Sequence, residues 1–353
     1  MIRQKRNRHV FRPAHQAGLS IVEIMVALLI SSILLLGVVT IFSSTRQTYD
    51  VQQSLSRIQE NGRFAQYFLQ SEIRMAGFQG CSRFVSTAVK ADPPPEDFFD
   101  GIDRPIFGEI STGGDAVEGT EVIYIRRAGA TGIRLTGNMS GDNANIQVTD
   151  NRADFKAGDY LFIADCSNAD LFRATNVSNE TQGSTRLTIA HSSSMNTPLP
   201  GKSNANSLSK AYGEDAEVMR FESIRLFIRD TGRVDRDGEP ILALARERLV
   251  GSGSSPQVVV EDLVEGIETM RAQYGVDTNG NGRINAFRTA DQLNGADWED
   301  VVTVRVAMVM RSERDRVVPE SQTFRFNGAE VTPNDRRLRQ VFDTTVTVRN
   351  RTR

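Results

Sequence analysis

Residues Leu19 to Phe42 read LSIVEIMVALLISSILLLGVVTIF, a run of 24 residues with one charge, Glu23, and no proline. Nothing else in the chain restricts its fold as strongly. Wound as a helix, the run is about 36 Å long at roughly 1.5 Å per residue, enough to cross a hydrocarbon core of about 30 Å. A secretory signal would have an apolar region of about 7 to 15 residues ending in an A-x-A-like site, and neither property is clear here. A plain anchor would leave Glu23 unexplained, because a carboxylate deep in a bilayer costs on the order of 2.5 to 3.5 kcal/mol. A cation is therefore expected beside it.

Residues 1–18 carry Arg3, Lys5, Arg6, Arg8 and Arg12 and no acid. Positive charge on that side of an apolar span holds it in the cytoplasm and sends everything after Phe42 across the membrane. The composition, 39% hydrophobic and 24% charged, excludes a polytopic membrane protein and a mostly disordered chain. With 42 basic against 44 acidic residues the net charge of -2 gives no global attraction to nucleic acid. His9 and His15 lie in the basic head, so His191 is the only imidazole after it, which argues against histidine-based catalysis and His-rich metal sites.

From Gln47 to about Ala76, Val51, Leu55, Ile58, Phe64, Phe68, Leu69, Ile73 and Met75 recur mostly at three- and four-residue steps. That is an amphipathic helix continuing the anchor. No proline occurs between Leu19 and Gly77, so the spacing predicts one helix of about 58 residues, roughly 87 Å long. Gly37 and Gly62 are its weak points, each costing about 1 kcal/mol relative to alanine. The stripe is expected to pack on a sheet; Gly62 and a broken heptad disfavour a free coiled coil.

After Cys81 the chain turns β-rich. Val122–Ile125, Tyr160–Ile163, Leu187–Ala190, Ile224–Ile228, Ile241–Leu244, Val258–Val260, Val301–Met310 and Thr344–Val348 are strand-like runs between turn signals. Asp92 to Asp115, with four of the eleven prolines, and Ser192 to Asn206 read as loops. The expected class is α+β. Its segments are a basic leader at 1–18, a membrane-spanning half-helix at 19–42, an amphipathic half at 43–78 and a β-rich, extracytoplasmic head at 79–353.

Cys81 and Cys166 are the only cysteines. Outside the cytoplasm oxidation is favoured, so a disulfide is expected over two free thiols, with a stabilisation of roughly 4 to 5 kcal/mol. Without C-x-x-C spacing a redox enzyme is not indicated. Asp277, Asn279, Asn281, Arg283 and Asn285, with glycine at the sixth position, match the first half of a calcium loop. The twelfth position, Arg288, stands where a bidentate glutamate belongs, and Asp277 is the loop's one carboxylate. A tight hairpin in which Asn-Gly steps supply positive φ is the favoured reading and calcium the alternative.

Gly201-Lys202-Ser203 lacks the first glycine of a phosphate loop, and Gly251-Ser252-Gly253-Ser254-Ser255 lacks the strand-to-helix context of a nucleophile elbow. Both read as surface turns. Arg336, Arg337 and Arg339 read as a solvated face rather than a contact for DNA or an acidic partner, because no aromatic residue is interleaved with them. No nucleophile, base and orienting group converge, so the chain is not read as an enzyme.

Gly18-Leu19-Ser20-Ile21-Val22-Glu23, between a basic leader and a long apolar run, resembles the cleavage and methylation site of type IV prepilins. By that resemblance prepilin peptidase cuts between Gly18 and Leu19 and methylates the new amine. Glu23 becomes the fifth residue of the mature chain and pairs with that amine on its own or a neighbouring subunit, setting axial register in a filament. The family more often has Phe at Leu19 and a shorter leader; Glu23 argues against the special tip subunit that lacks this acid.

Arg57 to Ala65 and Glu72 to Cys81 resemble the PilW minor pilins more specifically. So do Gly158-Asp159-Tyr160 through Asp165-Cys166-Ser167, the Tyr274 to Gly280 turn, Trp298 to Arg305, and Val341-Phe342 through Asn350. The resemblance implies a pilin-like fold, anchorage by one span in the inner membrane with a periplasmic head, and later residence in the filament or at its tip. Its implied partners are prepilin peptidase, other minor pilins, the major pilin and a tip adhesin, with no direct nucleic-acid ligand. The competing expectations are a type II secretion pseudopilin, which shares leader, helix and head, and a membrane-anchored periplasmic binding module.

Overall fold

The computed structural model describes residues 18–81, 87–92, 104–129, 132–179, 186–252 and 255–350. The basic leader before Gly18 lies outside them. One helix, α1 (Ile21–Arg74), runs through both Gly37 and Gly62 without a break. It tightens at its end, where Met75 and Ala76 donate to the carbonyls of Glu72 and Ile73 at 3.2 and 3.1 Å. Gly77 then takes φ +71°, the left-handed stop that glycine allows at little cost. The chain divides into two compact units, one ending at Gln52 and one starting at Gln53. In the first, Leu19, Ile21 and Leu36 are typical, at 75%, 77% and 68% exposed.

The second unit is built on strands. The first five are β1 (Thr87–Val89), β2 (Ile106–Ile110), β3 (Glu121–Ala128), β4 (Ile133–Arg134) and β5 (Ile146–Val148). Next come β6 (Tyr160–Ala164), β7 (Ala169–Arg173), β8 (Asn176–Asn179), β9 (Leu187–Ala190), β10 (Glu217–Val234), β11 (Pro240–Ser252) and β12 (Ser255–Glu265). The last six are β13 (Ile267–Val276), β14 (Ala286–Arg288), β15 (Val301–Arg311), β16 (Phe324–Phe326), β17 (Ala329–Val331) and β18 (Arg339–Thr347).

A nine-stranded sheet has the path β1-β7-β6-β10-β11-β12, with β3 and β4 also on β10 and β2 on β3. A four-stranded sheet runs β14-β13-β15-β18. The strand β10 organises the larger sheet because its 18 residues are long enough to pair with β3, β4, β6 and β11 in turn. Ile58, Ala65, Leu69 and Ile73 of α1 enter one core with Ile125, Leu226, Ile228 and Leu244 of the large sheet. Tyr274, Val304, Val306, Met308 and Val346 of the smaller sheet complete that core. Each fully buried aliphatic side chain there contributes about 1.5 to 3 kcal/mol. A second core joins β4, β5, β6 and β9 around Phe155, Phe172 and Tyr212.

All eight strand-like runs fall in strands, Val348 lying one residue past the end of β18. The helical stripe needs correcting. The buried face is Ile58, Gly62, Ala65, Leu69, Glu72 and Ile73, while Leu55 and Phe64 are 36% and 53% exposed. Small residues, not Phe64, occupy the positions nearest the sheets. Two loop assignments also change. The strand β2 lies inside the proline-rich 92–115 segment, whose residues 93–103 lie outside those described. Tyr274, Gly275 and Val276 belong to β13, so the turn begins at Asp277.

Candidate functional site

The helix start is a reciprocal cap. Ser20 precedes the first helical residue; its Oγ accepts from the Val22 N–H at 3.3 Å, and Glu23 Oε2 accepts from the Ser20 N–H at 3.0 Å. Two of the N–H groups that open any helix are thereby satisfied. The Ser-x-x-Glu spacing that signals such a cap is present in the sequence at Ser20 and Glu23. Further along, Ser32 and Thr40 turn their hydroxyls onto the carbonyls of Leu29 and Leu36, both at 2.8 Å. These two hydroxyls are thus satisfied within the helix, as an apolar medium demands.

The second half of α1 is fastened to the sheets by side chains that only tertiary structure reveals. Gln66 Nε2 donates to the Asp343 carbonyl at 2.7 Å and Gln70 Nε2 to Thr344 Oγ1 at 2.6 Å. Asn61 reaches the Glu265 carbonyl at 3.2 Å, and Asn350 reaches back to that of Ala76 at 3.3 Å. Glu72, 5% exposed, sits between Arg127 at 2.8 Å and Arg246 at 3.2 Å. Those arginines also bind Glu222 and Glu261. A lone buried carboxylate would be costly, and this four-residue surround offsets that cost. Just beyond the helix Cys81 and Cys166 form a disulfide with Cα atoms 5.0 Å apart, closing a separation of 85 residues.

The calcium-like loop joins β13 to β14 as a hairpin, with Val276 opposite Ala286. Asp277 Oδ1 accepts from the Asn281 N–H at 3.1 Å and Oδ2 from the Gly282 N–H at 2.6 Å. Asn279 Oδ1 accepts from Asn281, Asn281 Oδ1 from Arg283, and Asn285 Oδ1 from Thr278. Gly280 and Gly282 take φ +68° and +77°. Burial works to raise the Asp277 carboxyl, yet amide donors at Gly282, Asn281, Asn279 and Gly280 outweigh it and hold it below the ordinary carboxylate range. The oxygens that would surround a cation are turned onto the loop's own backbone. Arg288 is 3.5 Å from Asp297, and the described residues contain no group of three or more His, Cys, Asp or Glu placed to hold a metal. These contacts are those of a self-capped hairpin with one carboxylate, Asp277, in the loop.

The arginine cluster is not a solvated face. Arg337 and Arg339 are 2% and 4% exposed. Arg337 binds Asp235 at 2.8 Å, and Arg339 binds Glu268 at 2.6 Å and Asp335 at 2.5 Å; Arg336 alone remains at the surface. Their partners lie up to about a hundred positions away, which composition could not show. Lys202 of the phosphate-loop-like turn pairs with Asp142 at 2.7 Å, and residues 253–254 of the second glycine-serine turn lie outside those described. His191 is buried against Lys90, Nζ to Nδ1 3.4 Å, and burial followed by that cation pushes the imidazole down to about 4.

A capped, exposed apolar half-helix, an amphipathic half and a β-rich head define a pilin-like α+β architecture. Residues 13–39 match the prokaryotic N-terminal methylation motif, and residues 230–350 match the type IV pilus-assembly protein W family. Together the two matches are those of a PilW-type, prepilin-like minor pilin. The two matches support a type IV pilus-related pilin, and the matched family implies interaction with pilus components. The second match takes in the β10–β11 turn, the 277–285 loop, Arg337, Arg339 and all of β18. No curated protein and no solved structure matches the chain.

Proposed function

We propose that prepilin peptidase cuts the chain between Gly18 and Leu19 and methylates the Leu19 amine. The mature subunit waits in the inner membrane with its head in the periplasm. It then helps to initiate a type IV pilus in a complex of minor pilins beneath a tip adhesin. The observation that carries the reading is Glu23. It lies three residues into an exposed apolar helix, one oxygen on the Ser20 N–H and the other, Oε1, in no hydrogen bond among the described residues. A cationic amine one turn away, or on a neighbouring subunit, is the partner its charge requires in lipid. The mechanism is assembly: α1 docks among other such helices, and the head selects neighbours.

The test is the intact mass and N-terminal sequence of membrane-extracted protein from strains with and without active prepilin peptidase. A chain that begins at N-methylated Leu19 only when the peptidase is active is the expected result. A chain that keeps Met1 in both strains overturns the processing step. Loss of surface pili in a deletion strain is expected from the assembly role, and full piliation would remove it.

A further inference from the structure

The outer face of the four-stranded sheet carries a small cationic cleft. Along β13, β15 and β18 the residues Met270, Ala272, Val304, Val306 and Phe342 enter the core. Side chains alternate along a strand, so Arg271, Gln273, Arg305, Ala307, Val341 and Asp343 share the outer face. Register sets Gln273 opposite Arg305 and Arg271 opposite Ala307, which stands in turn opposite Asp343. The short side chain of Ala307 between longer neighbours leaves an open cleft of about 350 Å³, with Phe326 of β16 as a further wall. That volume lies at the small end of the range for ligand pockets, about 300 to 1,000 Å³.

Arg271 and Arg305 make no ion pair among the described residues, whereas Arg225, Arg246, Arg337 and Arg339 each hold at least one carboxylate. Arg305 is exposed, its guanidinium carbon 4.4 Å from the centre of the Phe287 ring, a contact that places the cation without neutralising it. Glu121 feels Arg271 at longer range but is buried on the Tyr274 hydroxyl. Arg325 also lines the cleft, but it faces Glu330 across its own hairpin and carries no part of the argument. The one acid in the lining is Asp343, exposed and separated from Arg271 by Ala307; its carbonyl, not its carboxylate, holds Gln66. Along β18 the face continues with Thr345 and Thr347, both neutral. The charge is thus a single spot and not the basic track that a nucleic-acid backbone follows.

We propose that this cleft takes an aspartate or glutamate side chain of another polypeptide, its carboxylate shared by Arg271 and Arg305, with an apolar side chain of the same segment resting on Ala307 and Phe326. Planar guanidinium groups match a carboxylate with paired N–H donors, and arginine beside aromatic rings is the composition of binding hot spots. Residues two apart in an extended segment point to one side, so an acid and an apolar residue at that spacing reach the cleft together. Asp343 gives the segment a direction, because it repels a second acid placed beyond the apolar residue. The cleft is one chemistry by which the head would select a neighbour. It needs no cleavage at Gly18, so the two readings can fail separately.

The test uses the full chain in detergent and the end-capped, dye-labelled peptide Gly-Glu-Gly-Leu-Gly, with fluorescence anisotropy as the readout. The same peptide with glutamine or lysine in place of glutamate is the counterpart. The glutamate peptide is expected to bind about tenfold more tightly than either. Arg271→Gln and Arg305→Gln are each expected to weaken it about tenfold. Asp343→Asn, which keeps the carbonyl that Gln66 uses, is expected to tighten it about threefold. Should Arg271→Gln unfold the head, the exposed Arg305→Glu provides the independent arm and is expected to turn the preference to the lysine peptide. Equal binding of the three peptides, no binding at about 10 mM, or an unchanged preference in Arg305→Glu would each overturn the proposal. So would tighter binding of a thymidine dinucleotide with its one phosphate, or a cleft already closed by a homodimer in the absence of peptide.

Discussion

The ring of Phe342 lies against the bare α-carbon of Gly62: a β-carbon added there would overlap the ring, with Cε1 only 2.6 Å away. Glycine in the middle of a helix is normally a loss of about 1 kcal/mol, but here it opens a slot into which β18 inserts its aromatic side chain. Gly62→Ala is therefore expected to lose about 1 to 3 kcal/mol through overpacking, less about 1 kcal/mol regained in helix propensity. Gly37, with nothing within 4 Å of its would-be β-carbon, has no such slot. Gly37→Ala is expected to leave the thermal melting of the head unchanged in the same detergent.

Charge and capping at Glu23 are separable. Glu23→Gln keeps an oxygen for the Ser20 N–H and removes the charge. We expect helix content by circular dichroism and cleavage to persist, while recovery of the subunit in sheared pili falls at least about tenfold if the charge pairs with an amine in lipid. Equal recovery would assign Glu23 to capping alone.

Removing the disulfide with Cys81→Ser and Cys166→Ser together is expected to cost roughly 4 to 5 kcal/mol in chemical denaturation, given the 85-residue separation. Thiol titration of the unreduced wild type is expected to find no free thiol.

Glu121 gives the head a pH dependence of defined sign. Burial raises its carboxyl from 4.5 to about 7, against a hydrogen bond from the Tyr274 hydroxyl at 2.9 Å. The folded state then keeps a proton that the unfolded chain releases, so this contribution is complete below about pH 4.5 and declines as pH rises toward 7. Its full span is on the order of 3 kcal/mol. Glu121→Gln retains an acceptor for Tyr274, and the wild-type-minus-variant stability is expected to fall across that window. A flat difference would show Glu121 to be ionised in the fold.

Calcium at about 5 mM, above the range of weak extracellular sites, is expected to leave the melting temperature unchanged. Asp277→Ala should lower it, because two backbone N–H groups lose their acceptor, at about 1 kcal/mol each.

What could be read from the sequence was what repeats locally. The apolar run, its single acid and the eight β-rich runs are patterns within a few residues, and each corresponds to an element of the fold. The failures share a cause as well. The strand β13 was hidden because a register shift near Ile267 and the small Ala272 blur its alternation. Phe64 had the right spacing and lies on the wrong flank, and Gly62 looked like a flaw because its partner is 280 positions away. Arg337 and Arg339 looked solvated in large part for the same reason: Asp235 and Glu268 reach them from other turns and strands, and only Asp335 is local.

The fastening of Gln66 to Asp343 and of Gln70 to Thr344 spans 277 and 274 residues. A ribosome therefore makes the helix first and its principal partner nearly the whole chain later. Throughout that interval Leu69 and Ile73 have no β18 to lie beneath, and a product stalled before Arg339 leaves the Phe342 and Val346 side of their core open. Only a polypeptide extended through β18 can close its core. An unfinished chain therefore keeps apolar surface that a finished one buries, the kind of surface on which chaperones and proteases act.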